Sequence, residues 1–329
     1  MFKTLVTGGT GFIGHRVVRR LLENGQAVRC LIRATSRMER LEGLSVERVV
    51  GDLRDADSLS RAAEGCNAIV HLGGISAWSE IASPDMFPVV VEGTKHLLSA
   101  AEEQGVARIV YVSSAAAMGP SRVAEPRDES APFVERDIAG MVYVQAKREA
   151  ERLCWEAAHR GLEVVVVRLA EVYGPDDRDF ITAGNLVGLL KSSPVLVCAG
   201  GTSVIHVEDA AFGIIRALER GRSGETYLLG GDNVSHRELA RLLLKLTKRR
   251  AFIVTVPGSL LRFGAAAATF CRLPFPIPPA VVPYATPYWY IDNRKAQREL
   301  GLQFRSAQQA LAETLTWLQS IGKLSVRRD

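Results

Sequence analysis

Apolar and polar positions along the chain fall into two alternating rhythms. Short runs rich in β-branched residues read as strands: Thr4 to Val6, Ala27 to Ile32, Val46 to Val50, Ala68 to Leu72, Arg108 to Val112 and Leu162 to Val167. Between them, residues 12–24, 56–64, 85–104 and 144–160 repeat at helical spacing. Strand and helix in alternation imply right-handed βαβ crossovers and a doubly wound parallel sheet. The runs are continuously apolar, as strands covered on both faces should be. After about Tyr173 the rhythm breaks at the loop Gly174-Pro175-Asp176-Asp177. A helical stretch to Lys191 follows, then the apolar run Val195 to Cys198, and Thr202 to Leu229 reads as a return to the sheet. From Ser235 there is a basic amphipathic helix, a Pro-rich hydrophobic stretch from Pro274 to Pro287, and a last helix near 306–321. The expected fold is a Rossmann-like α/β domain over 1–175, with 203–232 returning to it. A smaller C-terminal α/β substrate domain is expected from 176–202 and 233–329.

Composition adds little to this and excludes much. Of 329 residues, 47% are hydrophobic and 23% charged, which is globular rather than disordered. The 41 basic and 36 acidic residues leave +5, an excess read as mild and spread along the chain, so no nucleic-acid partner is expected. Five scattered cysteines without metal-ligand spacing read as reduced thiols. The chain starts on a strand, so no secretory leader is expected, and it holds no run of about 18 uncharged apolar residues that could span a membrane. A cytoplasmic location follows as the expectation. The nearest approach to a membrane segment, Phe263 to Cys271 between Arg262 and Arg272, is expected to pack in the core or line a substrate site.

The first strand runs into Thr7-Gly8-Gly9-Thr10-Gly11-Phe12-Ile13-Gly14, which opens the first helix. Glycines at 8, 11 and 14 permit a tight turn, close approach to a pyrophosphate and close helix–sheet packing, while the helix N-terminus offers free N–H groups to phosphate. A glycine triplet is weak evidence alone; between a strand and a helix it predicts dinucleotide binding. The second strand ends in Leu31-Ile32-Arg33-Ala34-Thr35-Ser36-Arg37, without the acid that would hold a ribose 2′-hydroxyl. Arg33, helped by Ser36 or Arg37, can instead fork onto a 2′-phosphate, so NADP is expected in preference to NAD. After the third strand, Asp52 is expected to meet the adenine amino group and Leu53 to cover the ring; helix capping by Asp52 or Asp55 is the plainer alternative.

Tyr143-Val144-Gln145-Ala146-Lys147 puts a phenol and an ammonium at i and i+4 on one helix face. The lysine cation and a positive nicotinamide are expected to lower the phenol pKa, so that it exchanges a proton with a carbonyl or alcohol oxygen. Ser113 and Ser114 close the fifth strand at the ligand-binding sheet edge, where the hydroxyl of one of them, Ser114 by preference, can bond and orient the substrate oxygen.

Taken together, the Thr7–Gly14 loop, Gly51-Asp52-Leu53, Val70-His71-Leu72, Val91-Glu92-Gly93-Thr94, Ser113-Ser114, Tyr143/Lys147, Arg168 to Pro175 and His206-Val207-Glu208-Asp209 resemble the extended short-chain dehydrogenases/reductases. The resemblance spans nearly the whole chain. It implies a catalytic Ser114, Tyr143 and Lys147, an NAD(P) domain, a small-molecule substrate and a homodimer. It extends the cofactor contacts to Leu72, Gly73, Gly74, Ser113, Leu169 and Val172. Nucleotide-sugar members usually carry Asn at the position of Glu171 and Arg at that of Thr202; both are absent here. A carboxylate about 4 Å from a phosphate charge would cost roughly 4 kcal/mol at an effective dielectric of 20. Met118 replaces a tyrosine, Val90 an asparagine, and Gly73-Gly74 an Ala-Ala pair. The chain resembles the dihydroflavonol reductase and 3β-hydroxysteroid dehydrogenase branch, which implies ketone/secondary-alcohol chemistry on an apolar substrate. A sugar or nucleotide-sugar epimerase or dehydratase with retained cofactor, and a non-catalytic NADP sensor, are the alternatives.

Overall fold

The computed structural model describes residues 2–133, 138–271, 273 and 278–324. The chain begins β1 (Lys3–Thr7), α1 (Gly14–Glu23), β2 (Ala27–Ile32), β3 (Glu47–Val50), α2 (Ala56–Ala63), β4 (Ala68–His71), α3 (Gly93–Glu103), β5 (Arg108–Ser114), α4 (Val142–His159), β6 (Glu163–Leu169) and β7 (Glu171–Tyr173). It continues α5 (Ala183–Lys191), β8 (Val195–Cys198), β9 (Gly201–His206), α6 (Val207–Arg220), β10 (Thr226–Leu229), β11 (Asn233–Ser235) and α7 (His236–Leu246). Then come β12 (Ile253–Val256), α8 (Gly258–Phe270), α9 (Val282–Ala285), β13 (Tyr288–Trp289), α10 (Arg294–Leu300) and α11 (Ala307–Ser320).

Seven strands form a parallel sheet in the order β3-β2-β1-β4-β5-β6-β10. Successive residues of each inner strand feed opposite faces. Val6, Val70, Val110 and Val165 join the core beneath α1 and α6, whereas Leu5, Ile69, Ile109 and Val164 join that beneath α2, α3 and α4. Covering both faces explains why these strands lack polar alternation. The expectation fails at β3, which has only β2 beside it and leaves most of its residues exposed. Strand order reverses between β1 and β4, and the carboxyl ends there frame a crevice.

The segment 203–232 divides between two sheets. β10 pairs with β6 in the large sheet. β9 instead pairs with β7 and β13 in parallel and with β11 antiparallel. The reading of Thr202 to Leu229 as one return to the sheet is therefore corrected. α5, α7 and α11 pack over this small sheet around Leu186, Leu239 and Leu311. Both α7 and α11 start with reciprocal side-chain capping, Ser235 with Glu238 and Ser306 with Gln309. The predicted helix at 85–104 is two pieces, a π turn over Pro88–Glu92 and then α3. The Pro-rich stretch from Pro274 begins outside the described residues; its later part makes the turn Pro279–Val281 and α9. Phe263 to Cys271 does not pack in the core. It lies in and just after α8, where only Ala265 and Ala268 are buried.

Candidate functional site

The carboxyl edge of the large sheet opens into a cleft of about 1510 Å³. Its floor begins at the glycine loop. The Gly11 N–H donates to the Gly8 carbonyl at 3.0 Å, closing the turn. A Cβ on Gly14 would lie 2.0 Å from the Gly8 oxygen, and Gly8 itself sits at φ +71° against the backbone of Leu72 and Gly73. Gly9 faces away, toward Cys30 and Val18, and lets α1 approach β2. Thr7, Gly8, Thr10, Gly11, Phe12, Ile13 and Gly14 all line the cleft; Gly9 does not. No acidic residue occupies the first turn of α1, so its N-terminus faces the cleft with its partial positive charge uncancelled.

A buried hydrogen-bond chain fixes the end of β1 to α3. The Gly73 N–H donates to Thr7 Oγ1 at 3.0 Å, and the Thr7 hydroxyl donates to His71 Nδ1 at 2.7 Å. His71 Nε2 then donates to Thr94 Oγ1 at 3.2 Å, whose hydroxyl donates to the Val90 carbonyl at 2.6 Å. Only the neutral Nε2–H tautomer satisfies this order. Burial, reinforced by the Lys147 charge, pulls the His71 pKa down to about 3, which agrees.

Farther along, Leu31, Arg33, Ser36, Arg37, Asp52 and Leu53 line the nucleotide end. The Arg33 N–H donates to Ser36 Oγ at 2.9 Å, ordering the turn after β2. The Arg33 guanidinium is exposed and makes no ion pair among the described residues. Arg37 is bonded to Asp179. Both Asp52 oxygens accept from Arg54 at 2.9 Å, and this pairing lowers the Asp52 pKa to about 2. Asp55, not Asp52, caps α2 through the Ser58 N–H. Leu53 is nearly buried, against the places where Gly73 and Gly93 lack side chains.

At the other end of the crevice the structure brings Ser113, Ser114, Tyr143, Lys147, Leu72, Gly73, Gly74, Leu169 and Val172 onto one wall. Ser114 Oγ accepts from the Ala116 N–H at 3.2 Å, so the hydroxyl caps the short turn Ala115–Met118. Lys147 Nζ donates to the Val112 carbonyl at 3.2 Å and lies 5.3 Å from the Tyr111 ring. Burial draws the Lys147 pKa down to about 8. Burial raises the Tyr143 pKa, and a hydrogen bond with Ser114 opposes that rise. Desolvation thus outweighs the Ser114 hydrogen bond at the phenol. Two turns along the same helix, Glu151 takes both guanidinium arms of Arg168 on β6 at 2.9 and 2.7 Å, fully buried. That pair fixes the rotation of α4.

Beyond the serines the cleft becomes apolar. Trp78, Ile81, Leu261, Val281, Tyr284 and Trp289 line it. Trp78 and Tyr284 meet edge-on at 5.7 Å, and Trp289 Nε1 donates to the Tyr284 carbonyl at 2.8 Å. The far side holds a polar group. Glu171 Oε1 accepts from the Tyr173 hydroxyl at 2.8 Å and from Asn185 at 3.2 Å, close to Thr202, Cys198 and His236 in the same wall.

Sequence reasoning passed over several residues that shape this cleft. Arg40 donates to Asp176 at 2.9 Å and to the Thr10 carbonyl at 3.2 Å, tying the glycine loop to the segment after β7. Arg127 donates to the Met118, Gly119 and Pro132 carbonyls and so holds the turn after Ser114. Asn185 and His236 carried no local signal, since their partners lie far off in sequence. His206, by contrast, braces the fold: it caps α6 at Glu208 and donates to Glu313 at 3.0 Å.

The residues fit a nicotinamide dinucleotide. The glycine cradle has no space for side chains, the helix N-terminus is open, and Ser113 Oγ is buried in the cleft wall with no partner among the described residues. Fold and cleft together define a dinucleotide-binding α/β enzyme. The NAD dependent epimerase/dehydratase family profile matches residues 4–230. The chain belongs to that family, within the extended short-chain dehydrogenases/reductases. It is 35% identical to a putative dihydroflavonol 4-reductase of Synechocystis, over 96% of this chain and 94% of that protein. It is 29% identical to a Stigmatella aurantiaca 4-hydroxy-2-methyl-3-oxo-4-farnesyl-3,4-dihydroquinoline-1-oxide ketoreductase, over 93% of each. Its fold matches the crystal structure of DesIV, a dTDP-glucose 4,6-dehydratase of Streptomyces venezuelae with NAD and TYD bound. There the TM-score is 0.78 at 26% identity, covering 97% of both chains.

Proposed function

We propose that the protein is an NADPH-dependent reductase, or the reverse dehydrogenase, of a ketone/secondary-alcohol pair on a small, fairly apolar substrate. One observation carries this reading. Ser114 and Tyr143 stand where the dinucleotide cleft meets an aromatic, apolar wall, and the far side of the cleft carries the Glu171 carboxylate. When bound, the nicotinamide supplies or takes up the hydride. Ser114 orients the substrate oxygen. Tyr143 gives that oxygen its proton during reduction and takes it back during oxidation. The Lys147 ammonium stabilises the tyrosinate left behind and holds ribose hydroxyls. Arg33 binds the 2′-phosphate, and the Ser113 hydroxyl meets the cofactor. The segments 176–202 and 233–329 act as the substrate domain, and the assembly is a homodimer. The names of the reductase and ketoreductase relatives support the same chemistry.

The family profile and the dehydratase neighbour favour a second reading, a sugar or nucleotide-sugar epimerase or dehydratase. Against it stands the Glu171 carboxylate in the cleft wall, where a diphosphate would meet a like charge. The test is net NADPH oxidation over a panel of ketones, with wild type and Tyr143→Phe. Turnover abolished in Tyr143→Phe while NADPH still binds supports the reductase. Tight cofactor binding, no net oxidation with any ketone, and isomerisation of a sugar nucleotide would overturn it.

A further inference from the structure

The apolar helix α8 is the least expected surface of the molecule. Phe263 is 73% exposed and Phe270 90%, with Leu260 and Leu273 also largely in solvent. Phe252, just before β12, is 87% exposed, and β12 runs straight into α8. Leu196 on β8 and Val254 on β12 also stand out from the two-stranded β8–β12 sheet. A helix apolar on nearly every side normally lies in a core or in lipid, and α8 is not in the core. Its 13 residues reach about 20 Å, too short for a hydrocarbon layer of roughly 30 Å. Such a helix can lie in the plane of an interface but cannot cross it.

Charge identifies the interface. The positive excess, expected to be spread evenly, is concentrated here. Residues 239–291 contain seven of the 41 basic residues and none of the 36 acidic ones, so the rest of the chain carries 34 basic against 36 acidic. Arg241, Lys245, Lys248 and Arg250 are exposed on and just after α7, immediately before Phe252, and Arg262 is exposed on α8. Among the described residues Lys245, Lys248, Arg250 and Arg262 form no ion pair. Exposed basic side chains close in sequence to exposed aromatic and aliphatic ones match an anionic lipid surface.

We infer that α8 and the β8–β12 edge dock this enzyme peripherally on anionic membranes. The docked helix also belongs to the cleft. Leu261 lines it between the outward-facing Leu260 and Phe263, and Val256, Val281 and Tyr284 continue the same wall. The cleft therefore has a wall shared with the docking face, and an apolar substrate dissolved in lipid reaches it without crossing water. This last point rests on the apolar-substrate reading above; the docking does not.

The test is co-flotation of the whole protein with phosphatidylcholine vesicles, with or without roughly one third phosphatidylglycerol. Wild type is expected to float with the anionic vesicles. Phe263→Ser/Phe270→Ser should lower that partitioning at least about tenfold. Lys248→Ser/Arg250→Ser should lower it by about 25-fold, roughly fivefold per charge, only on anionic vesicles. NADPH titration and thermal denaturation should be unchanged in the charge variant, which keeps the test valid if the phenylalanine variant folds poorly. Absence of wild-type flotation, or flotation indifferent to both variants, overturns the inference. So does a dimer in sedimentation velocity that dissociates in Phe263→Ser/Phe270→Ser without any vesicle binding, which would make α8 a contact between copies of this chain. None of these readouts requires turnover.

Discussion

Replacing Arg33 by alanine tests cofactor choice at its most exposed point. Three arginines surround the turn after β2, and two are committed: Arg37 to Asp179 and Arg40 to Asp176 and the Thr10 carbonyl. Asp52, which lines the nucleotide end, is held by Arg54. Among the described residues of this turn, Arg33 is the guanidinium left to meet a 2′-phosphate. A charge-assisted hydrogen bond contributes about 1.5–3 kcal/mol. Exposure and screening over about 10 Å at 0.1 M salt place Arg33 at the lower end of that range. The expected loss is then about tenfold in NADPH affinity. The assay is fluorescence titration of NADPH and NADH against wild type, Arg33→Ala and Arg37→Ala. NADPH should weaken about tenfold in Arg33→Ala, less at high salt, with NADH changed by less than about twofold. Arg37→Ala should matter less, since Asp179 already holds that side chain. Equal weakening of both cofactors, or a wild type that prefers NADH, would refute the reasoning.

Three other outcomes follow from the site and its supports. Because burial lowers Lys147 from 10.5 to about 8, its ammonium is present below that pH and lost above it. The kcat/KM profile should therefore fall as pH rises through about 8, and Lys147→Arg should move that limb upward; an unmoved limb would exclude Lys147 as its origin. Glu151→Ala leaves the Arg168 charge buried without its partner, and should cost about 3–5 kcal/mol, seen as a melting temperature lower by roughly 10 °C; an unchanged melt would show that the pair adds nothing. Gly14→Ala drives a methyl to 2.0 Å from the Gly8 oxygen, and should abolish cofactor binding in titration; retained NADPH affinity would mean the loop shifts freely.

What the chain revealed by inspection was what is encoded locally. The glycine loop, the Tyr143–Lys147 spacing and the paired serines each carry their signal within a few residues, and the fold then brings them together. The inner strands were legible because burial on both faces leaves runs of valine and isoleucine. β9 was not, because nothing in Gly201–His206 says which sheet will pair with it. Arg40 and Asp176 lie 136 residues apart, and no periodicity links such partners. α8 was misplaced for a different reason: an apolar run of its length reads the same whether protein covers it or not. The π turn over Pro88–Glu92 was hidden inside a pattern that a regular helix also satisfies.

Tyr143, Lys147 and Glu151 recur every fourth residue along one stripe of α4. The stripe has a consequence for how errors in this molecule would show themselves. Advancing the helix by one residue turns it about 100° and shifts it 1.5 Å. That would swing the phenol and ammonium out of the cleft and, in the same motion, strip Arg168 of its counter-ion. A misthreaded α4 is therefore not a slow enzyme that persists. It is a less stable one, losing its reactive geometry and its buried ion pair together.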